Sequence, residues 1–305
     1  KVGFTVGEGE AVGIVGESGC GKSVTAHAIM RLLPEENAYI EQGTIHMDGK
    51  NLLELPEKEM RAVRGNDIGM IFQDPMTSLN PVLPIGTQLM ESLVLHKKLS
   101  KQEARKRAAE MLRLVGIPFP EKRLRDYPHQ FSGGMRQRVM IAMALACEPK
   151  LIIADEPTTA LDVTIQAQIL DLMADLKKRM HTSIILISHD LGVIAKLCDK
   201  VLVMYAGEVI EKGTAREIFH RPQHPYTLGL LRSLPRLSDK KTEKLTVIEG
   251  QPPDLLYDIK GCAFMPRCPY AMQICAKQAP SETEVTDGEA GHCVRCWLMH
   301  KAEQE

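Results

Sequence analysis

The stretch Gly16-Glu17-Ser18-Gly19-Cys20-Gly21-Lys22-Ser23 constrains this chain more than any other feature. It fits the phosphate-loop pattern of two glycines bracketing four residues, then Lys, then Ser or Thr. Just before it, Ala11 to Val15 (AVGIV) is a short apolar run with β-branched residues, as a buried strand requires, and a helix is expected just after. The glycines let the backbone curl until its N–H groups face one concavity, and the start of the helix adds positive field. Such a nest holds phosphate. Lys22 would reach the β- and γ-phosphates, and the Ser23 hydroxyl would hold a Mg²⁺ that bridges them. With glycines at 16, 19 and 21 the loop does not fit the dinucleotide pattern G-x-G-x-x-G.

Composition narrows the class. With 305 residues, 44% of them hydrophobic and 25% charged, the chain has room for one large globular domain and one small one. A net charge of −1 argues against a general nucleic-acid binder. The longest apolar run, Val139 to Cys147, has nine residues, against the ~20 a membrane helix needs, so a membrane would only be docked upon. The chain opens on Lys1 with KVGFTVGEGE, which reads as a strand already under way, so a native segment before it is expected.

The order of elements predicts an α/β core. Lys1 to Val15 should supply strands and Lys22 to Leu33 the first helix, ended near Pro34. A β-rich stretch follows, with Gly43 to Met47, the turn Asp48-Gly49-Lys50, and Ile68 to Gln73. From about 87 to 147 the pattern is helical, with a capping box at Ser100 and Glu103 and with Gly116 placed to end that helix. Strands resume at Leu151 to Ala154, Ile184 to Ser188 and Val201 to Tyr205, continuous apolar runs suited to a parallel sheet, with helical segments such as Val163 to Met180 between them. After about Pro235 come a charged linker, Asp239 to Lys244, and a Pro- and Cys-rich tail. The reading is a nucleotide-binding domain over 1–235, with an inserted helical subdomain near 87–147, and a small C-terminal domain over 236–305.

Two further constellations carry chemistry. Asp155 and Glu156 end an apolar strand, where buried charge is costly unless a cation offsets it. A Mg²⁺ on the phosphate loop is such a cation. Asp155 would hold it, through water, and Glu156 would polarise the water that attacks the γ-phosphate. Phe131-Ser132-Gly133-Gly134-Met135-Arg136-Gln137-Arg138 places an N-capping Ser and two glycines before an amphipathic helix whose face carries Met135, Val139, Ala142, Met143 and Ala146. That is a second anion-binding helix start, though standing alone the stretch reads more readily as a capped helix after a flexible turn.

The phosphate loop, Gln73, the Ser132-Gly133-Gly134-Met135-Arg136-Gln137 signature, Asp155-Glu156, the turn Ala160-Leu161-Asp162 and His189 follow one another in the order of the ATP-binding cassette of ABC transporters. The resemblance spans about Gly9 to Gly213. It implies a P-loop NTPase fold, ATP bound by Gly16 to Val24, and Mg²⁺ held by Ser23, Gln73 and Asp155. It also implies that Gln73 senses the transmembrane partner, Asp162 communicates across a dimer, and His189 holds the γ-phosphate and the attacking water. Ser132, Gly133 and Gly134 would bind the ATP seated on an opposite subunit. Phe131 stands where the family more often has Leu, a mild departure that keeps an apolar residue. The aromatic residue that stacks on adenine in the family falls before Lys1.

Phe72-Gln73-Asp74-Pro75-Met76-Thr77-Ser78-Leu79-Asn80-Pro81 and His224-Pro225-Tyr226-Thr227-Leu228-Gly229-Leu230-Leu231 are similar to stretches of the ATPases that drive dipeptide and oligopeptide import. A nickel importer is a near relation of that group. The resemblance implies two permease subunits, a second ATPase docked face to face, an extracytoplasmic solute-binding protein acting indirectly, no nucleic acid, and a peripheral place on the cytoplasmic face of the inner membrane. The first stretch would face the permease.

In the tail, Cys262, Cys268, Cys275, Cys293 and Cys296 crowd into 35 residues. In a cytosolic chain such clustering favours metal over disulfides, and the spacing suits zinc or a four-iron cluster equally. The peptide-importer resemblance implies a [4Fe-4S] cluster on Cys262, Cys268, Cys275 and Cys296, leaving Cys293 as spare or alternative and His292 on the surface. Cys20, Cys147 and Cys198 lie in helical or loop contexts and read as ordinary small residues. Two rivals stand beside the importer. One is a soluble cassette acting in DNA repair or translation, which would need a long coiled coil or a tandem cassette. The other is a metal-sensing regulator with a degenerate cassette, against which Lys22, Asp155, Glu156 and His189 all stand intact.

Overall fold

The computed structural model describes residues 2–34, 36–159, 161–233, 248–285 and 291–300. The expected linker at Asp239 to Lys244, the 235/236 boundary and Ala160 lie outside the described residues. The chain opens with β1 (Ala11–Val15), α1 (Lys22–Ile29), β2 (His46–Met47), β3 (Lys50–Asn51), α2 (Glu57–Val63) and β4 (Ile68–Ile71). Helices follow: α3 (Pro75–Ser78), α4 (Ile85–Lys97), α5 (Lys101–Leu114), α6 (Pro120–Arg123) and α7 (Gly133–Leu145). Then come β5 (Leu151–Asp155), α8 (Val163–Met180), β6 (Ser183–Ile187), α9 (Leu191–Leu197), β7 (Lys200–Tyr205), β8 (Glu208–Thr214), α10 (Ala215–His220) and α11 (Pro225–Arg232). The tail holds α12 (Gln273–Lys277), β9 (Thr283–Glu284) and β10 (Cys293–Val294).

The chain divides into two compact units, one made of Lys1–Thr5, Ala11–Lys22 and Ser188–Glu305, the other of Val6–Glu10 and Ser23–Ile187. In the second, β4, β5 and β6 pair in parallel. Their residues are almost wholly buried and apolar, as strands covered on both faces must be. Helix α5 starts on the full Ser100–Glu103 capping box, and Val115-Gly116 turns the chain out of it with Gly116 at φ 75°. Helix α7 was expected to bury one face; instead Gln137, Val139, Met140, Ile141, Ala142, Ala144 and Leu145 are all buried, so it is enclosed on several sides.

In the first unit, β1 and β7 pair in parallel, and β7, β8, β10 and β9 continue as an antiparallel series. Several expected boundaries move. Residues 2–10 form no strand, because the turn closed by Glu10 N–H on Gly7 O and the left-handed Gly9 break the extended run. Helix α1 stops at Ile29, before Pro34 can act: Leu32 N–H returns to His27 O and Arg31 takes a left-handed conformation. Of Gly43 to Met47 only His46–Met47 pair, across the Asp48-Gly49 turn, with Lys50–Asn51.

Candidate functional site

The loop that follows β1 has all three glycines at positive φ, Gly16 at 153°, Gly19 at 79° and Gly21 at 97°. A Cβ on Gly16 would stand 2.2 Å from Met204 O and 2.7 Å from Cys20 Sγ, so no other residue fits there. Lys22 is nearly buried, and its ammonium donates to Gly16 O at 2.8 Å and Glu17 O at 2.9 Å, folding back over the loop. Glu17 N–H is taken by Tyr226 Oη at 2.8 Å, and the Glu17 carboxylate is gripped by both terminal nitrogens of Arg267. That pairing drives the Arg267 pKa further up, while burial raises that of Cys20. Ser18 and Gly19 are exposed, as is His189 just beyond β6.

In the other unit, Ser23 Oγ donates to Asp155 Oδ1 at 2.9 Å. Asp155 is buried at the end of β5, and Val24, next along α1, is exposed. Glu156 holds a left-handed conformation (φ 46°) and accepts from Gln73 Nε2 at 3.1 Å and Thr159 Oγ1 at 2.9 Å. A strained non-glycine residue carrying a carboxylate at a strand end is a recurrent mark of a working site. Ser132 caps α7 by accepting from Met135 N–H, and Ser132 and Gly133, the first residue of the helix, are exposed. Asp162 caps α8 by accepting from Ile165 N–H. Phe72, Gln73 and Asp74 leave β4 exposed, Pro75–Ser78 form the single turn α3, and Leu79 beyond it is buried.

The tail brings Cys262, Cys268, Cys275 and Cys296 to one cavity, walled by Phe264, Met265, Tyr270 and Trp297. Cys293 is not among them; it lies in β10 opposite Lys212 of β8. Cys262 is fixed against Cys275 by its N–H, which donates to Cys275 O at 2.7 Å, and a Cβ on Gly261 would lie 2.2 Å from that same oxygen. Burial and the neighbouring sulfurs raise the thiols of Cys262 and Cys268 and push Cys296 up to about 11. Backbone N–H groups of Phe264, Tyr270 and Leu298 act the other way, donating to the sulfurs of Cys262, Cys268 and Cys296. Among the described residues no group of three or more His, Cys, Asp or Glu is arranged to hold a single metal ion.

The surface placing of His292 is overturned. It is 1% exposed, and its Nε2–H donates to the buried carboxylate of Glu211 at 2.9 Å. A histidine beside a cysteine cluster in a polar tail carries no periodic signal of burial; only the pairing of β10 with β8 puts it inside. Arg267 and Glu211 were not anticipated either, since each acts on residues far away in sequence.

The profile described as "ABC transporter" matches residues 1–159, and that described as "Oligopeptide/dipeptide transporter, C-terminal region" matches residues 210–275. The oligopeptide transport ATP-binding protein OppD of Bacillus subtilis (strain 168) is 59% identical over 299 residues, 98% of this chain and 83% of the relative. The dipeptide transport ATP-binding protein DppD of the same organism is 57% identical over 98% of this chain and 88% of the relative. OppD of Escherichia coli (strain K12) is 55% identical over 96% and 86%. Among solved structures, the dimeric post-hydrolysis state of the ATP-binding cassette MJ0796 with ADP and Pi is 31% identical, with a TM-score of 0.62 over 70% of this chain and 88% of that one. The cbiO1 protein of Clostridium perfringens, part of the transporter complex cbiONQ, gives 30%, 0.61, 72% and 83%.

Proposed function

The chain belongs to the ATP-binding family of ABC transporters, and from that premise we propose that it is the ATP-hydrolysing subunit of an importer for dipeptides or oligopeptides. The observation that carries this is the coincidence of a cassette with a peptide-transporter C-terminal region in one chain, matched over 96–98% of its length by peptide-transport ATPases at 55–59% identity. The nickel importer stays the nearest alternative. The repair and translation rivals lose ground, because the helical insertion is a set of short helices, α4 to α7, and not a long coiled coil.

Residue roles follow from chemistry. The glycine nest and the folded-back Lys22 bind the phosphates of ATP; Lys22 has only to exchange two carbonyl oxygens for phosphate oxygens. Ser23 Oγ and Asp155 Oδ1 already stand side by side as the hard oxygen donors that Mg²⁺ takes, with Gln73 as a further oxygen ligand. Bound there, Mg²⁺ would offset the phosphate charge. Glu156, held by Gln73 and Thr159, would serve as the general base toward water, and His189, exposed after β6, would hold the γ-phosphate. Ser132, Gly133 and Gly134, presented at the start of α7, would meet the ATP of a second ATPase subunit. The dimeric form of the MJ0796 cassette supports that arrangement.

The domain reading is a cassette over 1–235 and a C-terminal domain over 236–305. The four thiols on one cavity, with backbone donors to sulfur and apolar walls, suit a [4Fe-4S] cluster. A soft metal would turn raised thiols into thiolates, and its role here is structural. No helix among the described residues is long and apolar enough to cross a membrane; as the ATPase of an importer this subunit would dock on two permease subunits at their cytoplasmic face.

The test is the Glu156→Gln variant. It should bind ATP as the parent does and lose nearly all turnover, by ~10²-fold or more; retained turnover removes Glu156 from the mechanism. Affinity purification from membranes should recover two permease chains and a second ATPase, whereas ribosomes or DNA would sink the importer reading.

A further inference from the structure

One contact ties the cysteine-rich tail to the phosphate loop within a single compact unit. Arg267 is the residue before Cys268, and its side chain is only 4% exposed. Nη1 donates to Glu17 Oε2 at 2.6 Å and Nη2 to Glu17 Oε1 at 2.9 Å, a two-pronged grip on a residue of the loop itself. The rest of the guanidinium is fixed in turn: Nε donates to Glu249 O at 3.0 Å, Nη2 to Ile248 O at 3.2 Å and Nη1 to Tyr205 Oη at 3.3 Å. Tyr226 Oη accepts from Glu17 N–H, and Tyr226, Tyr205 and Phe264 form one aromatic cluster. Phe264 also walls the cysteine cavity.

The charges make this more than an anchor. A carboxylate inside a loop built to hold an anion repels polyphosphate, and at partial burial that repulsion is poorly screened. Pairing with Arg267 removes the net charge, and the planar fork fixes the direction of the Glu17 side chain as a lysine could not.

We propose that Arg267 is a positioning residue for ATP: it neutralises and orients Glu17, so that the cysteine-rich tail completes the phosphate loop of the same chain. This rests on the reading of Gly16 to Ser23 as the ATP loop. Because Arg267 is joined to Cys268, whatever holds that cysteine also sets the grip on Glu17.

The experiment is equilibrium titration of a fluorescent ATP analogue with Mg²⁺ into the full chain carrying Glu156→Gln, so that turnover does not intrude. Adding Arg267→Gln should weaken binding about tenfold, equivalent to ~1.4 kcal/mol, and more so at low salt. Removing the stranded carboxylate in the Glu17→Gln/Arg267→Gln pair should bring affinity back to within about threefold of the parent, a rescue that lost packing cannot produce. In the chain with Glu156 intact, Arg267→Gln should raise KM for ATP with kcat within about twofold. Equal affinity of Arg267→Gln and parent, or a double variant no better than the single, overturns the inference alone. A parent that binds no nucleotide overturns the loop reading and the inference with it. If Arg267→Gln does not fold, Arg267→Lys decides: it keeps the charge without the fork and should bind about threefold more weakly, and an unchanged affinity refutes the positioning role.

Discussion

Glu211 is the point at which the tail is most firmly fastened to the strand that carries it. It lies in β8 with its carboxylate wholly out of solvent. Oε1 accepts from Gln223 N–H at 2.7 Å and His292 Nε2–H at 2.9 Å, while Oε2 accepts from His224 N–H at 2.9 Å. One side chain thus fixes the entry to α11 and the approach to β10. Glu211→Ala strands three buried donors at once. Each costs about 1–3 kcal/mol if nothing replaces the acceptor, and because the cavity admits some relaxation the sum should fall near 3–5 kcal/mol. At about 2–4 °C per kcal/mol for a chain of this size, the melting temperature should drop ~6–20 °C. Glu211→Gln is close to isosteric, but whichever way its amide turns, an NH₂ faces a donor, for a loss of about 2 kcal/mol. Urea unfolding followed by the emission of Trp297, the chain's one tryptophan and a buried one in the tail, reads both variants. A loss below about 1 kcal/mol for Glu211→Ala would refute the reasoning, since it is what an ordinary surface change costs.

Other outcomes follow from the same geometry. Gly16→Ala must push its Cβ into Met204 O, so it should abolish ATP binding in a titration while most helical circular dichroism survives. Asp155→Asn keeps the Ser23 contact yet removes charge from the Mg²⁺ position, so the gain in ATP affinity on adding Mg²⁺ should shrink about tenfold or more. Protein purified without oxygen should be brown and contain iron; Cys296→Ser should lose the colour and Cys293→Ser keep it, whereas a colourless zinc protein would overturn the cluster.

The sequence is most legible where signals are local. The capping box at Ser100, the whole of α8 and the strands at 151, 183 and 200 are carried by periodicity and caps within a few residues, and they stand within a residue of where the pattern puts them. The phosphate loop is equally local, because its glycines are required by its own backbone angles. The Asp155–Ser23 and Gln73–Glu156 hydrogen bonds join residues that only the order of motifs relates. What stayed hidden is long-range pairing of polar groups: Glu17 with Arg267 is 250 residues apart, and Glu211 with His292 is 81. Neither pair repeats at a helix or strand period, so nothing in a window of sequence distinguishes a buried Glu or His from a surface one. Which of Cys293 and Cys296 lines the cavity is likewise not a matter of spacing: β10 commits Cys293 to a strand while Cys296 turns to the cavity.

Coupling of ATP hydrolysis by this chain to the uptake of peptides can be measured by rebuilding the complex of this subunit with its permeases and partner ATPase in lipid vesicles, then following a labelled oligopeptide delivered by the binding protein together with phosphate release. Peptide should accumulate only with ATP and Mg²⁺, hydrolysis should rise when loaded binding protein is added, and the complex carrying Glu156→Gln should do neither. Uptake that proceeds without ATP, or with the Glu156→Gln subunit in place, would contradict the account.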